Sequence, residues 1–153
     1  MPNWCEGTLK VRGKIEDLKK FVLEGLKPVD FLGNYLEPLK IEESYERCKT
    51  SETCHIENTR RGFVEKLDIW FCDYEDTDEK QVICLDTKFA WGIEAEQLQK
   101  TCKKYNVDMK IYAFEKGMEF NQDIEIVDGA IVKNEEIEFD CYDWDCIMPT
   151  MGG

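Results

Sequence analysis

The chain has 153 residues, a length that suits one domain with a substantial core, and 42% of them are hydrophobic. This composition excludes a disordered acidic tail, and no apolar run in the sequence is long enough to span a bilayer. The formal net charge of −13 argues against direct binding to nucleic acid, which requires cations against phosphate. Residues 1–13 lack the pattern of a signal peptide, so we expect one cytoplasmic domain over residues 1–153 that contacts no membrane.

The first predicted elements are a strand and a helix. Apolar and polar residues alternate over residues 4–11, which is typical of a half-buried strand. From Ile15 to Leu26 the apolar residues follow helical spacing instead. Residues 28–62 mix prolines and glycines with short apolar clusters, so we expect an irregular insertion there.

In the middle of the chain, the sequence pattern predicts two strands, then a helix and then a further strand. Alternation indicates strands over residues 67–71 and 82–89, and the acidic turn between them predicts a hairpin. A helix is predicted from Ile93, and a fourth strand over residues 107–113. The resulting order, βαββαβ, predicts an α+β fold class: a ferredoxin-like antiparallel sheet with two helices on one face.

Residues 117–153 predict an acidic β extension of this sheet, with a C-terminal hairpin and a last strand. Asp128 and Gly129 lie between two apolar runs, a strong hairpin signal. The last strand is predicted over residues 136–141. Its acids alternate with apolar residues and therefore share the outer face: Glu136, Glu138 and Asp140.

The negative charge is concentrated in two places. Residues 117–153 contain ten acids and one base, Lys133, and residues 73–79 form a second acidic cluster at the predicted turn. Aromatic residues are interleaved with these acids, and aromatics beside charged rims are typical anchors of protein interfaces. Tyr142 and Trp144 are the expected anchors. The candidate partner-binding residues are Asp73, Glu75, Asp76, Asp78, Glu79, Glu136, Glu138, Asp140, Tyr142, Asp143, Trp144 and Asp145.

The eight cysteines offer little chemistry. Without an export signal we expect them to be reduced, and most lie in apolar segments where a thiol packs as a small hydrophobe. Cys48, Cys54 and His55 form an alternative, a metal-binding loop, although their spacing matches no zinc motif. His55 is the only histidine, which excludes any two-histidine metal site. We therefore expect no catalytic residue, no cofactor and no enzymatic activity.

Four groups of motifs resemble one family. "MPNW" with "GTLKVRG", "VDFLGNYLEPLK", "TKFAWGI" and "YAFEKGMEF" occur in order and cover most of the chain. Together they resemble the YubB-type ferredoxin-like proteins of plasmids and phages. The resemblance implies an intracellular protein of a mobile element, without implying an iron–sulfur cluster, and the family has no settled activity.

The sequence therefore favours a non-catalytic, phage-type protein that binds and inhibits another protein through an acidic, nucleic-acid-mimicking surface. The expected partner is a host or foreign nucleic-acid-handling protein, such as a nuclease or an immunity complex, in the manner of anti-CRISPR or anti-restriction factors. Acidity that only maintains solubility is the simpler interpretation. A nucleic-acid-binding module that stacks bases on Trp4, Trp70 or Tyr74 of the sheet is a second alternative.

Overall fold

The computed structural model describes residues 1–72 and 78–153, which contain ten strands and three short α-helices. The strands are β1 (Trp4–Gly13), β2 (Leu26–Val29), β3 (Arg47–Thr50), β4 (Thr53–Ile56), β5 (Gly62–Val64), β6 (Leu67–Trp70), β7 (Gln81–Ala90), β8 (Asp108–Glu115), β9 (Phe120–Val127) and β10 (Ala130–Glu138). The helices are α1 (Ile15–Lys20), which continues into a π-helical segment (Phe21–Gly25), α2 (Ala95–Tyr105) and α3 (Tyr142–Asp145).

Eight of the described strands form one antiparallel sheet, here called the main sheet, in the order β10-β9-β8-β1-β7-β5-β4-β2. Strands β3 and β6 pair with each other in a separate, two-stranded sheet. The central strand β1 pairs with β7 over its whole length and with β8 from Glu6 to Arg12. Strand β10 forms one edge of the main sheet.

The two faces of the main sheet differ in what covers them. Helix α2 packs on β8, β9 and β10, and α1 packs on β1, so we call this side the helix face. Along β1, Leu9 and Val11 are buried on this face, whereas Thr8, Lys10 and Arg12 are exposed on the other side, the open face. The period-2 pattern of the first strand is thus confirmed.

The C-terminal segment covers part of the open face. Phe114 of β8, Tyr142 of α3 and Cys146 form a small buried cluster, with Phe139 and Met151 packed against it. The backbone N–H of Gly153 donates to the carbonyl of Trp4 at 2.9 Å, which holds the segment beside β1. The remaining part of the open face, towards β2, is left without this cover.

The predicted ferredoxin-like fold is wrong. The main sheet has eight described strands, and residues 28–62, predicted to be an irregular insertion, contain β3, β4, the end of β2 and the first residue of β5. The predicted hairpin of residues 67–89 is also wrong, because β6 pairs with β3 while β7 pairs with β1 and β5. Strands β3, β4, β5 and β6 have only three or four residues each, too few to show a clear period, and the pairing of β3 with β6 joins residues that are distant in sequence.

The hairpin around Asp128 and Gly129 is confirmed. Val127 and Ala130 are paired across it, and both turn residues have positive φ, 50° and 74°. Two consecutive positive φ values are the geometry of a type I′ turn, which Asp-Gly favours. The predicted last strand is the continuation of β10, which ends at Glu138.

Within the described ranges, every helix is too short or too polar to cross a membrane.

Candidate partner-binding surface

The outer acids of β10 lie where alternation predicts them. Glu136 and Glu138 pair with Gln122 and Phe120 of β9, so they project from the same face of the edge strand, and both are exposed. Asp140, just after the strand, is exposed as well. Alternate residues of a strand are about 6.6–6.8 Å apart, so these carboxylates begin an ordered row.

Helix α3 packs on the open face and carries two more carboxylates around an exposed ring, whereas Glu136 and Glu138 project on the helix face of the same edge. Asp143 and Asp145 are exposed, and Trp144 between them is 87% exposed. An Asp145 carboxylate oxygen accepts a hydrogen bond from the backbone N–H of Cys141 at 3.1 Å, which fixes the start of the helix. We call Glu136, Glu138, Asp140, Asp143 and Asp145, with Trp144, the acidic edge.

Tyr142 does not belong to this surface. It is 3% exposed, and its hydroxyl donates to Oδ1 of Asn121 at 2.8 Å. Burial, followed by the hydrogen bond with Cys146, raises the pKa of Tyr142 above its ordinary value. The side chain attaches α3 to β9, and Trp144 is the aromatic residue of the predicted pair that faces solvent.

The second predicted acidic cluster is separate from the acidic edge. Asp73, Glu75 and Asp76 lie outside the described residues, while Asp78 and Glu79 are exposed. Asp78 lies 3.2 Å from Nζ of Lys14, next to the C-terminal end of β1. The acidic edge lies towards the N-terminal end of β1, because Glu138 pairs with Phe120 and Phe120 with Glu115. A strand of that length spans about 30 Å, so the structure does not join the two clusters.

The carboxylates of the acidic edge differ from those on the neighbouring strand. On β9, Asp123 is 2.7 Å from Nζ of Lys133 and Glu125 is 3.6 Å from Nζ of Lys110. Among the described residues, no Lys or Arg side chain lies within 4.0 Å of the five carboxylates of the acidic edge. These charges are exposed to solvent without a counter-charge in contact.

The strand under the acidic edge is rigidly supported. Gln122 of β9, opposite Glu136, accepts a hydrogen bond from the N–H of Ile93 at 2.7 Å and donates to its carbonyl at 3.1 Å. This pair of bonds joins the start of α2 to the sheet. Glu115 accepts hydrogen bonds from the N–H groups of Gly117 and Met118 at 2.7 and 2.9 Å, which orders the turn before β9. The carboxylates therefore project from a fixed frame.

Sequence reasoning missed two exposed apolar side chains that follow Trp144 in the chain. Ile147 is 84% exposed and Met148 is 49% exposed. The short apolar run "CIMP" after the last acids was the available signal, and its Cys146 is buried instead. Exposed apolar side chains beside charges are typical of contact surfaces.

Cys48, Cys54 and His55 do not converge. Both thiols are buried in the main core, and burial raises the pKa of Cys54 to about 12 and that of Cys48 to about 11. His55 is on the opposite face of β4, where Nε2 lies 2.9 Å from the carbonyl oxygen of Thr59 and the ring contacts Phe63. Across the part of the chain that the structure describes, no three His, Cys, Asp or Glu side chains are placed to hold a metal ion.

Comparison with protein-family models, with curated proteins and with solved structures finds no match to this chain. The resemblance to YubB-type proteins stays a prediction from the sequence motifs.

Proposed function

We propose that this chain is a non-catalytic inhibitor that binds a nucleic-acid-handling or host-defence protein through the acidic edge. Its carboxylates occupy the cationic groove that the target uses for the phosphates of DNA or RNA. The interaction is thus comparable to that of anti-CRISPR or anti-restriction factors. The target is a nuclease or an immunity complex of a host or of a competing element.

The observation that supports this proposal most is the set of five exposed carboxylates without a cationic partner, arranged on an edge strand and the helix that follows it. Acids that serve only solubility need no fixed geometry and are best interspersed with bases. Here the row is ordered by β10 and supported by Gln122. A fixed row of negative charge attracts a cationic groove at long range and fits it without a large loss of conformational entropy.

Trp144 adds an exposed apolar group to the surface. Long-range charge accelerates association and selects partners, whereas affinity comes mainly from aromatic and aliphatic groups that become buried. Trp144 is such a group, and Ile147 and Met148, which follow it in the chain, are exposed as well. The proposed interface is therefore the edge of the main sheet, with the carboxylates of β10 on one face and Trp144 with its flanking acids on the other.

Charge reversal on β10 tests the proposal. The wild-type chain, immobilised, should retain a nucleic-acid-handling protein from nuclease-treated lysate at low salt and release it at high salt. The variant E136K/E138K/D140K should retain none of it, while its free energy of unfolding stays within about 0.5 kcal/mol of the wild type, as for other exposed positions.

The matched control is E16K/E24K/E43K. It makes the same change in net charge at three exposed acids outside the acidic edge. The control should retain the target like the wild type. Equal retention by both triple variants would show that the acidic edge is not the binding surface.

A further inference from the structure

Two of the four arginines have no carboxylate partner among the described residues. Arg12 is 2.9 Å from Asp108, and Arg47 is 2.7 Å from Asp68. Arg60 and Arg61, which precede β5, are both exposed and make no such pair in the described part of the chain. In a chain with 33 acidic residues, two adjacent unpaired guanidinium groups mark a place suited to an external anion.

Two surface cavities meet at Arg61. The first, of about 160 Å³, is lined by Arg60, Arg61 and Trp91, among others. The second, of about 580 Å³, lies on the uncovered part of the open face and is lined by Arg61, Trp4 and Phe63, among others. Cations and aromatic rings thus line both cavities.

Of these rings, Trp91 is exposed enough to stack on a flat ligand, whereas Arg61 and Lys88 lie over the ring of Trp4. Trp91 is 62% exposed and has φ of 67°, a conformation that is rare for a bulky side chain. Trp4 lies edge-on to Phe63, with ring centroids 6.2 Å apart. The guanidinium carbon of Arg61 is 5.6 Å from the Trp4 ring centroid, and Nζ of Lys88 is 5.1 Å from it.

Hydrogen bonds from backbone N–H groups connect the segments that carry Arg60, Arg61 and Trp91. The N–H of Arg60 donates to Oε1 of Gln97 in α2 at 3.0 Å, and the N–H of Ala90 donates to the carbonyl of Arg61 at 3.1 Å. The N–H of Trp91 donates to the carbonyl of Asn3 at 2.9 Å. The loop before β5, the end of β7 and the start of β1 are therefore tied together.

The acids that line the cavities are mostly engaged within the protein. Asp30 accepts hydrogen bonds from the N–H groups of Leu32 and Asn34 at 2.8 and 2.9 Å, and Glu94 accepts one from Gln97 at 2.8 Å. Glu52, exposed at the second cavity, is the acid left to oppose an anionic ligand there. These hydrogen bonds do not remove the charge of the carboxylates, so the lining of the two cavities is formally balanced, and the cations left without an ion-pair partner in the described part of the chain are Arg60 and Arg61.

We propose that Arg60, Arg61, Trp4, Phe63 and Trp91 form a binding site for single-stranded nucleic acid, here called the arginine–tryptophan site. Phosphates contact the two guanidinium groups, and a base stacks on Trp91. Aromatic platforms beside cations are how proteins hold single strands, whose bases are free to stack. The site uses none of the residues of the acidic edge, so it does not depend on the function proposed above.

Fluorescence anisotropy of a labelled ten-nucleotide single strand at low salt tests the site. R60A/R61A should weaken binding at least tenfold, because two charge-assisted contacts are lost. W91A should weaken it about 5- to 150-fold, the range for one lost base stack. With two phosphate contacts, log K should fall with log salt at a slope of about −1.4.

Two further variants separate a specific site from general attraction. The control K20A/K100A removes two exposed lysines outside the site and should bind like the wild type. E52Q removes the opposing charge and should strengthen binding about two- to fivefold. Thermal unfolding of each variant confirms that it is folded.

Three results would overturn the proposal. The first is no binding by the wild type, and the second is the same loss in R60A/R61A and in K20A/K100A. The third is binding of a mononucleotide as tight as that of the ten-nucleotide strand, which would assign the site to small nucleotides instead.

Discussion

Asp108 is a carboxylate whose ion pairs and hydrogen bonds connect several elements of the structure. Its side chain, 8% exposed, lies 2.9 Å from Arg12 and 3.3 Å from Lys80, and it accepts the N–H of Asp128 at 3.0 Å. Burial alone raises the pKa of Asp108, but the hydrogen bonds from Asp128, Arg12 and Lys80 together hold it below its ordinary value. One residue thus joins β1, β8 and the turn before β10.

Replacing Asp108 with asparagine should therefore destabilise the protein in a pH-dependent way. Because the folded-state pKa is lowered, the stabilisation is complete above the pKa of the unfolded chain, about 3.9, and is lost as pH falls through the folded-state value. At pH 7, urea unfolding should show a loss of about 2 kcal/mol in D108N. Below pH 4 the difference from the wild type should shrink.

The control for this prediction is D86N, at an exposed position of β7. It should change the free energy of unfolding by less than about 0.5 kcal/mol at either pH. A D108N deficit of the same size at pH 7 and at pH 3 would mean that the ionised carboxylate is not the cause.

At the scale of elements, β10 is the feature with two physical roles. An edge strand of nine residues presents unpaired backbone groups to any other strand, and charged side chains are a common protection against such pairing. Glu136 and Glu138 therefore protect the edge as well as supplying the charge that a partner recognises. The two roles can be separated because protection requires charge of either sign, whereas recognition by a cationic groove requires negative charge.

Neutralising the edge should cause self-association. In sedimentation velocity, E136Q/E138Q should show a higher average mass than the wild type as concentration rises, whereas E136K/E138K should not. The control E16Q/E24Q removes the same charge from the region of α1 and should behave like the wild type. If E136Q/E138Q sediments like the wild type at every concentration, Glu136 and Glu138 do not protect the edge strand from self-association.

The elements whose pattern depends on neighbouring residues were predictable from the sequence. β1, the helix beginning at Ile15 and the hairpin at Asp128 depend on residues close in the chain. Pairing of β6 with β3 instead of β7 depends on contacts between distant residues, which no local pattern specifies. The candidate surface follows the same rule: alternation predicts the exposure of Glu136 and Glu138, but the burial of Tyr142 requires the chain to fold back onto Asn121.

At the scale of the whole molecule, the charge of −13 is not one uniform field. Paired carboxylates such as Asp108 stabilise the fold, and unpaired ones are ordered along the acidic edge. The unpaired Arg61 lies where two surface cavities meet, and the unpaired Arg60 lines one of them. The arrangement separates a surface of unpaired carboxylates from a pair of unpaired guanidinium groups, which neither the composition nor the net charge shows.

Mimicry of nucleic acid is the central claim, and competition tests it most directly. A protein captured by the wild-type chain is purified, bound to a labelled DNA or RNA substrate at fixed ionic strength, and titrated with the wild-type chain or with E136K/E138K/D140K. The account predicts that the wild-type chain displaces the nucleic acid and that the variant does not. A ternary complex in which the target holds both the nucleic acid and the chain would contradict it.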